Sequence, residues 1–336
     1  MSIHPKHFLA GIVSPTTSAL ALAIALGSAV AAAAAAGQLP RNWPLAPSEL
    51  ERRFASGDFV ILEVKGAGGG VTGAYRLLIE YSDGKQFKVK WKSVPAKSAD
   101  GWNNSPRKEL ASYEVQRWLV DENDFLVPTS LPVCIPLERY APIDPKAKPT
   151  LPGTTCVLGV LTTWLEDVTA PEKLEDKKRL REDEAFARYM ADFNLLAYLI
   201  DHRDGRRGNV LLSSDAADPR VFAVDNGIAF GPFPWNFLVR NWNDIRVPWL
   251  RRDTVERLRR VDENTIERLG VIAELAADEA GVLRPVQPGP NLDDDEGVRI
   301  RKGRIQFGLT EDEIDDLEDR IEDLLKEVDS GKIALR

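Results

Sequence analysis

Asp204 stands five residues before Asn209 in "DHRDGRRGNVLL" (201–212), and Asp225 closes an apolar run in "VFAVDNGIAFG" (221–231). This spacing suits phosphoryl transfer. One Asp accepts the proton of an attacking hydroxyl, an Asn five residues on binds a metal ion, and a second Asp across a short hairpin binds metal at the phosphates. Asp204 rather than Asp201 is the candidate base, because only Asp204 has the five-residue spacing to Asn209. An ordinary charged loop followed by an Asn-Gly turn would also fit these residues taken alone.

Two further features stand upstream in the order such a site needs. Gly68, Gly70 and Gly73 fit G-x-G-x-x-G. A dinucleotide fingerprint requires a helix after the glycines. Here "AYRLLIEY" follows, which reads as a strand, so the glycines form a hairpin tip whose N–H groups can lie over phosphates. A merely flexible tip is the plainer alternative. Lys88, Lys90 and Lys92 then alternate with Phe87, Val89 and Trp91, placing all three lysines on one strand face. Lys90 is the first choice for a phosphate contact, with Lys92 the alternative, and a solvated edge would also carry three lysines. Glu109, early in the next helix, is the natural carboxylate partner; Glu114 is on a different face.

The elements that position these residues follow from periodicity. Apolar runs at 59–64, 74–81 and 86–91 read as an antiparallel meander, and 108–119 as a helix with Pro106 in its first turn. Short strands are expected in 125–140, a Pro-rich loop at 141–153, a buried strand at 155–165 and a strong helix at 183–200. "NVLL" and "VFAV" read as a hairpin. The chain beyond residue 231 reads as mostly helical, with Trp-rich loops. It ends in a helix begun by a capping box at Thr310 and Glu313, with Ile314, Leu317, Ile321 and Leu324 as its buried stripe. "DDDE" (293–296) reads as a polar loop, with cation binding the alternative.

The chain has 336 residues and a net charge of −8, so overall charge gives no argument for a nucleic-acid partner. With three histidines, a multi-His metal site is disfavoured. Residues 1–37 read as a signal peptide, or as an N-terminal anchor if uncleaved, since 19–36 are apolar and then Ala-rich. Residues 38–57 read as a linker. Export would permit a disulfide between Cys134 and Cys156; two buried thiols on neighbouring strands would look the same.

"FNLLAYLIDHRDGRRGNVLL…VFAVDNGIAFG" resembles the atypical branch of the protein-kinase-like superfamily. It is similar to the secreted Golgi casein kinases and, among the phosphatidylinositol 3-/4-kinase-related kinases, to the type II phosphatidylinositol 4-kinases, in which D-N-G stands in place of D-F-G. "GKQFKVKW…RKELASYEVQRWLVDENDFLVP" resembles bacterial relatives of these. The resemblance implies an α+β, bilobal protein-kinase-like fold, with a β-rich N-lobe (58–154) containing one key helix, then a hinge and helix-rich C-lobe (155–336). It implies an ATP-dependent kinase using Mg²⁺ or Mn²⁺. Asp204 would be the base, Asn209 and Asp225 the metal ligands. Lys90 would contact phosphates, oriented by Glu109. Trp164 and Glu166, within "WLED", would lie at the hinge beside adenine. The lysine that ordinarily follows the base by two residues is absent. Arg206 occupies that position and is the candidate to neutralise the transferring group. No A-P-E element follows, so the acceptor stays open among protein, sugar or glycan, and lipid hydroxyls. Adenylyl transfer and a non-catalytic binding module are the alternative functions. A membrane partner is expected only if the N-terminal segment is uncleaved.

Overall fold

Apolar, β-prone runs in "FVILEVKG" and "YRLLIEY" and the alternation in "QFKVKWKS" produce strands β1 (Phe59–Gly66), β2 (Tyr75–Tyr81) and β3 (Gln86–Ser93). In the computed structural model these join β4 (Ser130–Pro136) and β5 (Cys156–Thr163) in an antiparallel sheet of order β1-β2-β3-β5-β4. The structure describes residues 41–67, 73–94, 105–173, 175–231 and 244–336. The candidate signal segment, Gly68, Gly70 and part of the Trp-rich stretch lie outside them.

β5 is buried along its whole length, so both faces of the sheet are covered there. One face holds Val89, Trp91, Leu161 and Ile135 in the main core. The other holds Cys134, Leu158 and Val160 against Leu275, Val282, Ile305 and Phe307. Helix α2 (Pro106–Leu119) begins with Pro at its start, as expected, and packs against β4. Beyond β5 the chain crosses into a small sheet of β6 (Val168–Thr169), β7 (Val210–Ser213) and β8 (Val221–Ala223). Helix α3 (Glu184–Leu199) packs on β8, its N-cap Asp183 accepting a hydrogen bond from the Phe186 N–H. The architecture is α+β: a β-sheet with one key helix, a crossover, then a hairpin and helices.

Three sequence expectations need correction. Residues 47–56 are a helix, α1 (Pro47–Ser56), not linker. Pro47 opens it, and Gly57, at φ 60°, closes it by donating to the Arg53 and Phe54 carbonyls. Leu50 and Phe54 are buried, which supplies the burial a short helix needs. Second, β5, read as the start of the C-lobe, pairs with β3 and β4 inside the first sheet.

Third, residues 273–307 are not helical. They form a sheet of β9 (Ala273–Ala277), β10 (Leu283–Val286), β11 (Val298–Arg301) and β12 (Arg304–Phe307), in the order β10-β9-β12-β11. The Lys302-Gly303 turn, with φ 47° and 75°, joins β11 to β12 as a two-residue hairpin loop. Pro285 is tolerated because β10 is an edge strand. Helix α4 (Arg252–Leu258) precedes that sheet and the terminal helix α5 (Glu311–Asp329) follows it, and α5 has both hydrogen bonds of the capping box.

Cys134 and Cys156 form a disulfide with a Cα separation of 5.4 Å. It staples β4 to β5 beneath the second core. The cysteines lie 22 residues apart, and closing such a loop restricts the unfolded chain by about 3 kcal/mol in the chain-entropy account. The double variant Cys134→Ala/Cys156→Ala is expected to lose stability of that order in urea denaturation. A midpoint equal to wild type, and insensitive to reductant, would contradict it.

Candidate functional site

Strand β3 carries Lys90 and Lys92, α2 carries Glu109, and the turn leaving β8 carries Asp225. Lys90 Nζ lies 3.2 and 3.4 Å from the Glu109 carboxylate oxygens and 2.9 Å from Asp225 Oδ1. Lys92 Nζ lies 3.1 Å from Glu109 Oε1 and 3.8 Å from Asp225 Oδ1. Both lysines therefore share the two carboxylates, and they differ in exposure. The Lys90 side chain is 16% exposed and lines the adjoining cavity, whereas that of Lys92 is 6% exposed. Lys90 is the lysine a ligand can reach, and Lys92 backs the carboxylates from inside.

The electrostatics follow from that crowding. Burial works against the charged form of Lys90, but Glu109 and Asp225 outweigh it and raise its pKa above the ordinary lysine value. Burial likewise opposes charge on Asp225, and Lys90 and Lys92 overcome it, holding the carboxyl below the usual range. Asp225 has φ 60°, a left-handed conformation that Asp tolerates better than most residues. Backbone strain of this kind gathers at functional sites.

The β7–β8 hairpin brings Asn209 to the same end as Asp225. Val210 pairs with Ala223, and the Val224 N–H donates to the Asn209 carbonyl at 3.0 Å. Asn209 Nδ2 donates to the Asp204 carbonyl at 3.2 Å, tying the two ends of the loop together. The Asp204 carboxylate is held by the Arg206 guanidinium through both oxygens. Arg206 is 53% exposed while Asp204 is 8% exposed. The arginine standing where a lysine is usual thus covers the candidate base. His202 is fully buried, and that burial pushes its imidazole pKa down.

Between the two sheets lies a cavity of about 1220 Å³, larger than the roughly 300–1,000 Å³ of typical small-molecule pockets. Lys90, Glu109, Arg206, Asn209 and Asp225 line it, with Gly73, Trp164 and Glu166. Gly73 has φ 65°. Trp164 opens the crossover, donating its N–H to the Lys88 carbonyl at 3.1 Å, with Arg76 stacked over its ring. Asn42 braces the crossover, its Nδ2 donating to the carbonyls of Glu166 at 2.8 Å and Asp167 at 3.1 Å. Glu166 itself is exposed.

Sequence reasoning missed Ser130 and Thr162, whose hydroxyls meet at 2.9 Å in the cavity wall, and Asn226, also in that wall, whose Oδ1 is buried without a protein partner. Hydroxyls in strands otherwise buried were the available signal, since buried polar groups need partners. The group Asp293, Asp294 and Asp295 is exposed and lies outside the cavity.

No family model matches the chain, and no curated protein matches it. A solved structure of Fam20 from hydra, described with sugar, is similar with a TM-score of 0.48 and 14% identity, covering 84% of this chain and 90% of that one.

The Asp225 carboxyl titrates lower folded than unfolded. Its contribution to stability is therefore complete above the unfolded value, about 3.9, and is lost as pH falls through the folded value. Urea midpoints taken from about pH 6 to about pH 2 should show a steeper acid loss in wild type than in Asp225→Asn. Parallel curves would contradict the assignment.

Proposed function

We propose that this chain is an ATP-dependent phosphotransferase acting on a hydroxyl of a protein, glycan or lipid. The contact of Lys90 with both Glu109 and Asp225 carries this reading. It supplies a fixed ammonium at the cavity wall beside a carboxylate at the hairpin end, the pairing that phosphate binding with a metal requires.

Asp225 and Asn209 offer hard oxygen donors, the type Mg²⁺ and Mn²⁺ prefer. The unpartnered Asn226 Oδ1 beside them is compatible with that set. A divalent ion bound there would neutralise phosphate charge. Lys90 binds phosphate oxygens and Glu109 keeps its ammonium in place. Trp164 and Leu165 border the base. Asp204 takes the acceptor's proton as the acceptor oxygen bonds to the γ-phosphorus and the bond to the bridging oxygen of ADP breaks. For this, Arg206 must release the Asp204 carboxylate. Its exposure allows that movement, and its guanidinium then serves the transferring phosphoryl group. The disulfide supports an oxidising compartment, in keeping with export. No helix among the described residues is long and apolar enough to cross a membrane.

The test is incubation with ATP labelled at either the γ- or the α-phosphate, with Mg²⁺ or Mn²⁺ and the organism's exported fraction. Incorporation of γ-label is expected, falling by about 10²–10⁴-fold in Asp204→Ala. Incorporation of α-label instead would assign adenylyl transfer. No incorporation of either would leave the fold as a binding module and overturn the proposal.

A further inference from the structure

Arg107, Lys108 and Glu109 are consecutive in the first turn of α2, so their side chains leave the helix about 100° apart. Glu109 points to the two lysines and Asp225. The other two point to the C-terminal part of the chain. Arg107 donates to Glu313 Oε2 at 2.5 Å, to Oε1 at 3.0 Å and to the Gly308 carbonyl at 3.2 Å. Lys108 Nζ lies 3.1 Å from Glu313 Oε1 and donates to the Phe230 carbonyl at 2.8 Å. Glu313 also accepts the Thr310 N–H at 3.1 Å as part of the α5 capping box. Gly297 lies directly against the Arg107 guanidinium, where any side chain would displace it.

One buried carboxylate thus gathers three pieces of chain. These are the turn of α2 that bears Glu109, the start of α5 and, through Lys108, the segment that leaves Asp225. Phe230 has φ 51° and its N–H donates to the Ile200 carbonyl at 2.7 Å, so that segment is also fixed to the end of α3. A capping box needs only a side-chain oxygen at this position, and Gln supplies one. The charge of Glu313 is explained by the bidentate arginine and the lysine, not by the cap.

We propose that Glu313 is a positioning residue, which from the C-terminal helix sets the first turn of α2 and the segment after Asp225, and so holds Glu109 and Asp225 on Lys90. The inference rests on the nucleotide site proposed above for one of its two readouts. The other needs no nucleotide.

Glu313→Gln keeps the cap acceptor and removes the charge. Thr310→Val weakens the cap and keeps the charge. Each is compared with wild type by calorimetric titration with ATP and Mg²⁺, and by acetic anhydride labelling of Lys90 without nucleotide, read by peptide mass spectrometry. Glu313→Gln is expected to weaken ATP·Mg²⁺ binding about tenfold, as loss of a supporting contact behind a ligand-binding group does. It should also raise Lys90 labelling about threefold or more as the carboxylates withdraw. Thr310→Val should lower the melting temperature while leaving both readouts near wild type.

Labelling of Lys90 in Glu313→Gln equal to wild type, or equal changes in both variants, would overturn the proposal. If wild type does not bind ATP with Mg²⁺, the nucleotide reading fails and the labelling comparison alone decides the positioning role. Should Glu313→Gln not fold, Lys108→Met cuts the same link at Phe230 and is expected to shift labelling in the same direction.

Discussion

Two lysines and two carboxylates share one nearly closed space: Lys90 and Lys92 from β3, Glu109 from α2, Asp225 from the turn after β8. Taking ions out of water costs several kcal/mol each, and their mutual attraction often only offsets it. Such a cluster is a weak source of stability. Its geometry must be imposed by the elements around it, and those elements are arranged to do so. The register of β3 sets the lysines, the rotation of α2 sets Glu109, and the hairpin sets Asp225.

The described scaffold around it is tightly packed. β5 runs through the sheet with both faces covered, and Gly159 leaves no room for a Cβ between it and Trp91. The four-stranded sheet seals the second face over the disulfide, with the Leu283 N–H donating to Cys156 Sγ at 3.4 Å. Asn42 and Trp43, ahead of α1, fasten the crossover and pack on Phe222 of β8. The same chain that would be a tether by composition is therefore a brace. Arg206, which is half exposed, sits on an otherwise buried Asp204. Buried carboxylates and lysines beside one exposed arginine would suit the proposed phosphotransfer, in which positioning and charge stabilisation do most of the catalysis.

Much of this was legible in the sequence because local periodicity and burial agree. β3 alternates apolar residues with lysines, Pro106 marks the start of α2, and Thr310 with Glu313 spells the cap of α5. The spacing of Asp204, Asn209 and Asp225 placed those residues in one loop and hairpin. What was not legible depended on long-range packing. α1 hid behind prolines, although Pro47 and Gly57 were its boundary signals. "AELAA" has helix-forming composition and became β9 because β10 and β12 pair with it, an instance of tertiary context overriding propensity. Alternation put Lys90 and Lys92 on one face, and their difference in exposure, with both on Glu109, became visible only in the fold. No sequence pattern indicated that Arg206 would close on Asp204, or that Glu313 would serve both a helix cap and α2.

We propose that this charge cluster is the wall of a metal–nucleotide site. Its most direct test is a crystal structure grown with Mn²⁺ and a non-hydrolysable ATP analogue, with the ion located by anomalous scattering. The account predicts manganese between the Asp225 carboxylate and Asn209 Oδ1, with phosphate oxygens on Lys90. An anomalous peak only at exposed Asp293–Asp295, or none in the cavity, would contradict it.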